Sequence, residues 1–312
     1  MNQLKRQPAE VKLPVPWGHV AAKIYGPLQE SKILVVHGYL DNAGSFNRLL
    51  EFLPEHYNYV CIDLPGHGLS SPFPSGVPLK FFDYVYSILL VLDALKWQTC
   101  IYMGHSFGAQ IGTYFSILYP GRLEKIIAID GIMPFPIKNL VSYTQQLYDL
   151  DSYNNTSEKL YTKDEIMHAL KFRRQEVLNT DAAEAMFERA VTKIDNLYKY
   201  NRDPRLRFFL KPLFTIEQSK EFLMKFLTPI LIILADNSTK IKSYSYLVKE
   251  IETSVNDKSI FLTVVVRGNH DVHNNYPERV APHICHFLGN TRKRLDVLNK
   301  SVGIPCKFSS LT

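Results

Sequence analysis

The sequence predicts an α/β fold in which helices cover both faces of a doubly wound, mostly parallel sheet. Short, continuous apolar runs alternate with helical patterns along the first 135 residues, and such runs are typical of strands buried on both faces. This rhythm stops after residue 135 and resumes at about residue 226, which indicates an insertion. A Gly-x-Ser-x-Gly motif at 104–108 joins one apolar run to the next helical pattern.

Six apolar runs are predicted as strands of the parallel sheet, because each is short and ends in turn-forming or polar residues. They cover 32–38, 57–66, 99–106, 125–131, 228–236 and 259–270. Upstream, residues 11–26 predict two strands that turn at Gly18 and form an antiparallel edge. Helical patterns cover 45–55, 79–96, 108–120 and 277–289.

Residues 136–225, called the inserted segment below, differ from the rest in composition. They are rich in Tyr, Asn, Gln, Lys and Glu, and they contain no strand-like run. Within 182–198, apolar residues recur at helical spacing and predict one helix; they are Met186, Phe187, Ala190, Val191, Ile194 and Leu197. We therefore expect a core formed by 1–135 and 226–312, with 136–225 as a helical cap.

Composition narrows the function classes. The net charge of +6 over 312 residues is mild, and without a basic stripe or a known module no nucleic-acid partner is expected. The basic run 291–300 is interpreted as a solvated surface. Four cysteines without paired spacing predict neither disulfides nor a metal site. With no signal peptide and no run of about eighteen apolar residues, a cytoplasmic protein without membrane insertion is expected. The C-terminal Ser-Leu-Thr differs from the Ser-Lys-Leu peroxisomal targeting signal, so the sequence indicates that compartment only weakly.

The motif around Ser106 points to a nucleophile. Alone, the five-residue pattern is frequent by chance, but here a strand precedes Gly104 and a helix follows Gly108. That context is the nucleophile elbow, in which small neighbours allow a strained turn to present the hydroxyl. The rival interpretation is an ordinary strand–turn–helix connection.

A serine nucleophile needs a base, and His270 is the best candidate. It follows the last apolar strand and precedes the closing helix, so it is expected at the same sheet edge as Ser106. Its neighbour His273 is the rival candidate.

Four segments, 35–46, 61–70, 103–112 and 268–288, together resemble the α/β-hydrolase fold family. Within it, the chain is similar to the serine hydrolase-like proteins, the kraken-type branch. The resemblance extends from about residue 11 to about residue 290. In that family a Pro seven residues after the histidine opens the last helix, which fits His270 and Pro277 and does not fit His273.

The resemblance implies further roles. The backbone N–H groups of Tyr39 and Phe107 would form the oxyanion hole, and both side chains would line the pocket floor. The family usually takes its acid from the strand that here ends at Asp236, whereas some members take it from the strand that ends at Asp130. Asp236 is the first choice and Asp130 the alternative. Asp41 and Asp63 are interpreted as structural.

The expected function is therefore that of a serine hydrolase that acts on carboxylic esters or related small acyl compounds, with no cofactor and no metal. The aromatic residues of the inserted segment, among them Tyr143, Tyr148, Tyr153 and Phe187, are expected to supply a largely apolar acyl pocket. The alternative is a non-catalytic ligand-binding protein on a retained hydrolase fold. The sequence leaves the oligomeric state open.

Overall fold

A twisted central sheet organises the chain in the computed structural model. The structure describes residues 7–28, 31–134, 136–149, 159–174, 176–207, 211–254 and 260–289. Tyr153, the basic run 291–300, Cys306 and the C-terminal Ser-Leu-Thr lie outside these residues.

Eight strands of the described residues form this sheet, in the order β1-β2-β4-β3-β5-β6-β9-β10. Their bounds are β1 (Ala9–Val15), β2 (Gly18–Tyr25), β3 (Lys32–Val36), β4 (Asn58–Ile62), β5 (Cys100–His105), β6 (Leu123–Ile129), β9 (Ile230–Ala235) and β10 (Phe261–Val266). The strands from β4 to β10 pair in parallel, and β1 and β2 form the predicted antiparallel edge. The mostly parallel, doubly wound architecture is confirmed.

Helices cover both faces of the sheet. Those of the core are α1 (Asn47–Leu50), α2 (Phe81–Ala94), α3 (Phe107–Leu118), α8 (Ile241–Ser254), α9 (Val272–Asn275) and α10 (Pro277–Gly289). Because side chains alternate along a strand, Leu34 and Val36 face the core under α2 and α3, while Ile33 and Val35 face the core under α1 and α10. The predicted helix 45–55 was wrong in extent: a 3-10 turn at Ala43–Phe46 precedes α1, which ends before Pro54.

The inserted segment leaves the sheet after β6 and returns before β9, its neighbour in the sheet. It contains α4 (Leu140–Leu147), α5 (Lys163–Phe172), α6 (Thr180–Ala190), β7 (Val191–Ile194), β8 (Leu197–Tyr200) and α7 (Ile216–Leu223). The single helix predicted over 182–198 was wrong. Helix α6 ends at Ala190, and β7 and β8 then pair as an antiparallel hairpin.

The hairpin turn explains this difference. Asp195 adopts a φ of +52° between the two strands, a conformation that Asp tolerates better than most residues. The apolar positions 191, 194 and 197 satisfy a helical spacing although their backbone is extended. A small core of its own holds α5, α6 and the hairpin together, with Ile166, Leu178 and Met186 at its centre.

A buried ion pair ties the inserted segment to the sheet. Arg189, near the end of α6, donates from Nη2 to Asp63 Oδ2 at 2.8 Å and from Nη1 to Glu10 Oε1 at 2.6 Å. Asp63 is fully buried after β4 and also accepts the backbone N–H groups of Ala43 and Leu69. The prediction that Asp63 has a structural role agrees with these contacts.

Replacing Arg189 by Met should lower the free energy of unfolding by about 3 kcal/mol, because Asp63 would keep a buried charge without its cation. Urea denaturation measures the change. Lys193→Met, which removes an exposed positive charge from β7, is the control and should change the free energy of unfolding little. Equal effects of the two variants would contradict the assignment.

Candidate active site

Ser106 occupies a strained turn between β5 and α3. Its φ of +48° and ψ of −109° are unusual for a residue with a side chain. The turn is crowded: a Cβ at Gly108 would lie 2.3 Å from the carbonyl oxygen of Val36, and a Cβ at Gly131 would lie 2.7 Å from Ser106 Cα. The structure therefore gives a physical reason for glycine at both positions, and the turn has the geometry of a nucleophile elbow.

His270 reaches Ser106 from the loop after β10. Its Nε2 lies 2.8 Å from Ser106 Oγ, and its Nδ1 lies 2.5 Å from Asp130 Oδ2. The contact with a carboxylate assigns the proton to Nδ1, so the Nε2 lone pair accepts the Ser106 hydroxyl. A hydrogen-bonded chain thus runs from Ser106 through His270 to Asp130.

Asp130 is fully buried at the end of β6, with a φ of +42°. Besides His270, it accepts the Ala235 N–H at 3.0 Å and the Ser238 hydroxyl at 2.6 Å. Burial by itself would raise the pKa of Asp130, but the hydrogen bonds from His270, Ser238 and Ala235 outweigh it and hold the pKa below its ordinary value. Asp130 is therefore an ionised hydrogen-bond acceptor at neutral pH.

Asp236, the first choice for the acid, does not contact the His270 imidazole. It is exposed, and its Oδ1 accepts the backbone N–H of Gly268 at 2.9 Å. Asp130, at the end of β6 beside β5, makes the contact with the imidazole instead. Asp130 thus ends next to the Ser106 turn, where the alternative prediction has it.

Burial lowers the pKa of His270 below the ordinary 6.5 because it disfavours the charged imidazolium. The neighbouring Lys240 ammonium and His105 act in the same direction, whereas Asp130 opposes them. His273, the rival candidate, is fully buried, and its ring packs against that of His105 at a centroid separation of 4.0 Å. Neither ring nitrogen of His273 has a hydrogen-bond partner among the described residues.

The two residues predicted for an oxyanion hole flank Ser106. Phe107 begins α3 directly after it, and Tyr39 lies in the loop after β3, with the two rings 5.3 Å apart. Tyr39 lines the cavity above Ser106, as expected. Phe107 does not line the pocket floor, because its side chain is fully buried against Phe81 and Tyr84.

Arg174 of the inserted segment joins two loops of the site. It donates to Asp41 Oδ1 at 2.8 Å and to Asp271 Oδ1 at 2.7 Å. Asp41 follows Tyr39 and Asp271 follows His270, so one guanidinium fixes both loops, and Asp41 has a bracing role. Together with His105, these carboxylates could offer metal ligands within 4.8 Å of one another. Because Arg174 already donates to an oxygen of each carboxylate, an ion-pair network explains the cluster better.

A cavity of about 850 Å³ opens above Ser106. Core loops and the inserted segment both line it, and its wall includes Arg173, Arg202, Arg207, Lys240, Tyr161 and Tyr200. Apolar atoms contribute the larger share of the wall's surface, as expected for this pocket, and the charged side chains lie among them.

The aromatic residues named for that pocket lie elsewhere. Tyr143 bonds the backbone carbonyl of Lys211, Tyr148 is exposed, and Phe187 packs on Tyr198 of the hairpin. None of these three lines the cavity, and Tyr153 is not among the described residues.

Comparison with known proteins gives this geometry a family context. A sequence profile described as the alpha/beta hydrolase fold matches residues 32–273, more than half of the chain. The chain belongs to the α/β-hydrolase fold family. It is 33% identical over 298 residues to serine hydrolase-like protein 2 of Homo sapiens, covering 90% of this chain and 94% of that protein. It is 31% identical over 296 residues to a serine hydrolase-like protein of Danio rerio, covering 91% and 90%.

Solved α/β-hydrolase structures agree on the fold. A hypothetical protein of Pseudomonas aeruginosa PAO1 superposes with a TM-score of 0.79 at 24% sequence identity, covering 90% of this chain and 99% of that one. The family and the names of the relatives support a hydrolase. Among the described residues, none of the helices has the length and apolar character that a bilayer crossing requires.

Three residues of this α/β-hydrolase site were missed from the sequence. Lys240 follows β9 and places Nζ 3.2 Å from His270 Nε2. Glu176 of the inserted segment accepts the backbone N–H of His270 and that of Thr239. Arg174 is the third. No motif marks them: Arg174 and Glu176 act across the boundary between the inserted segment and the core, and Lys240 lies 30 residues from His270 along the chain.

Proposed function

We propose that the protein is a serine hydrolase that cleaves acyl compounds through an acyl-enzyme intermediate. The observation that carries the proposal is the hydrogen-bonded chain of Ser106, His270 and Asp130 at the base of an open cavity. The residue types and contacts match the serine–histidine–carboxylate logic of acyl transfer.

In this mechanism Ser106 Oγ attacks the acyl carbon while its proton passes to His270 Nε2. Asp130 accepts a hydrogen bond from the Nδ1–H group and stabilises the imidazolium that forms. The backbone N–H groups of Tyr39 and Phe107 are proposed to hold the developing oxyanion, and the N-terminus of α3 favours negative charge there. His270 then protonates the leaving group, and a water molecule releases the acyl group by the reverse steps.

Carboxylic esters are the proposed substrate class, with thioesters as close chemical relatives. A serine nucleophile suits attack on a carbonyl rather than displacement at a saturated carbon, for which related enzymes need a carboxylate. We propose that the inserted segment acts as the cap, since Tyr161, Arg173 and Tyr200 face the same cavity as Ser106. The proposed compartment is the cytoplasm; Cys61, Cys100 and Cys285 are free thiols.

The alternative of a non-catalytic binding protein was motivated by the open choice of acid. No contact in the described residues favours it, since Asp130 Oδ2 approaches His270 Nδ1 at 2.5 Å.

A fluorophosphonate probe should label Ser106 in the wild-type protein, because His270 activates that hydroxyl. Ser106→Ala should abolish both labelling and hydrolysis of 4-nitrophenyl acetate. Ser142→Ala, on α4 and remote from the His270 contact, should label normally. Mass spectrometry of the labelled peptide provides the measurement. A folded wild type that neither labels nor hydrolyses the ester would overturn the proposal.

Asp130→Asn should lower kcat for the same ester by about 10⁴-fold, because an amide no longer stabilises the correct tautomer and the imidazolium. Asp236→Asn removes an exposed carboxylate that accepts one backbone N–H, so it should change kcat less than about threefold. Steady-state kinetics of both variants, with circular dichroism as a check on folding, distinguish the two acids. A larger loss in Asp236→Asn than in Asp130→Asn would reverse the assignment.

The acid limb of the pH profile of kcat/KM should have its midpoint below pH 6.5. Neutral His270 is the active form, and burial, Lys240 and His105 lower its pKa from that ordinary value, so protonation needs more acid. Lys240→Met should shift the midpoint upward because it removes one of the nearby cations. Initial rates across the acid range measure both profiles. A wild-type midpoint above pH 6.5 would contradict this expectation.

A further inference from the structure

Two donors compete for one lone pair on His270. Its Nδ1 faces Asp130, so only Nε2 offers a lone pair. Ser106 Oγ lies 2.8 Å from Nε2, and Lys240 Nζ lies 3.2 Å from the same atom. Serine activation alone does not require the second donor, since the hydroxyl and Asp130 already satisfy the imidazole.

The backbone around Lys240 is held firmly. Its N–H donates to Ser238 Oγ at 3.3 Å, and the Ser238 hydroxyl in turn donates to Asp130 at 2.6 Å. Glu176 accepts the N–H of Thr239 at 2.7 Å from the other side. The chain therefore begins α8 from a fixed position, and the part-buried Lys240 side chain lines the cavity beside Ser106.

Carboxylates surround Lys240, but other donors already engage them. Asp130, Asp271, Glu176 and Asp41 are near enough to favour its charge. Asp130 accepts from His270 and Ser238, Glu176 accepts two backbone N–H groups, and Arg174 binds the other two carboxylates.

Within the described part of the chain, none of these carboxylates forms an ion pair with Lys240. Burial lowers the pKa of Lys240 below its ordinary value, and the four carboxylates oppose this shift without cancelling it. Lys240 Nζ faces the cavity on the imidazole, without a carboxylate contact of its own.

This position has a consequence for the reaction. During acylation the Oγ–acyl carbon bond forms, the bond from the acyl carbon to the leaving oxygen breaks, and the proton moves from Ser106 to Nε2 and then to the leaving oxygen. The leaving oxygen must therefore come within hydrogen-bond distance of Nε2. A substrate group next to that oxygen lies beside Lys240 Nζ. The imidazolium that forms when Nε2 is protonated repels the Lys240 ammonium, unless an anion attracts the ammonium away from Nε2.

We propose that Lys240 is a specificity-determining residue that binds a carboxylate on the leaving-group side of the substrate. The substrate class is then acyl esters whose alcohol or phenol carries a carboxylate close to the ester oxygen. Binding of this carboxylate moves the ammonium from Nε2 and leaves the lone pair to Ser106. The inference rests on the proposed hydrolase function and names the substrate class of that site.

The test compares two aryl esters that differ in one group, 3-acetoxybenzoate and its neutral counterpart 3-acetoxybenzamide. The wild type should hydrolyse the carboxylate with roughly tenfold higher kcat/KM, the usual effect of one charge-assisted hydrogen bond. Lys240→Met should reduce this ratio to about one, because the carboxylate of the ester loses its cation. Lys240→Arg should retain part of the preference.

Lys242→Met is the matched control, since it removes an exposed ammonium two residues further along, in the first turn of α8, and should keep the wild-type ratio. If the wild type hydrolyses both esters equally well, or if Lys240→Met retains the preference, the inference is wrong although the hydrolase function stands. If the folded wild type hydrolyses neither ester and Ser106 does not react with the fluorophosphonate, the proposed function itself fails and the inference fails with it.

Discussion

The buried carboxylate of Asp130 is the group on which the arrangement of the site depends. It accepts three donors from two other parts of the chain: the backbone of Ala235 and the hydroxyl of Ser238 at the end of β9, and the imidazole of His270. A desolvated charge of this kind is tolerated only when its acceptor positions are filled. The carboxylate therefore enforces the relative placement of β6, of the loop after β9 and of the histidine loop, and the Ser106 turn packs on the adjoining Gly131.

The inserted segment holds the loops at the sheet edge through polar contacts. Arg189 forms an ion pair with a fully buried carboxylate after β4. Arg174 binds the loops that carry Tyr39 and His270, and Glu176 accepts the backbone N–H of His270. These are polar contacts between a segment with its own small apolar core and the main sheet. The wall of the cavity between them combines apolar surface with several charged side chains.

Local patterns were sufficient for the parts of the molecule that local chemistry determines. The apolar runs identified all eight strands of the main sheet, and the strand before Gly104 and the helix after Gly108 made Ser106 the candidate nucleophile. The choice between Asp130 and Asp236 depends on which carboxylate the folded chain places against the His270 imidazole, a long-range property that two similar strand ends do not encode locally. The hairpin at 191–200 was missed because its apolar residues fit a helical spacing equally well, and Lys240 carries no motif at all.

The two hydrogen bonds that Glu176 accepts connect the inserted segment to two loops of the site. One carboxylate oxygen meets the backbone of His270, and the other meets the backbone of Thr239 beside Lys240. If the inserted segment lifts to admit a ligand, the histidine loop and the lysine loop lose this common support at the same moment. Glu176 therefore ties the position of the inserted segment to the position of the histidine that contacts Ser106.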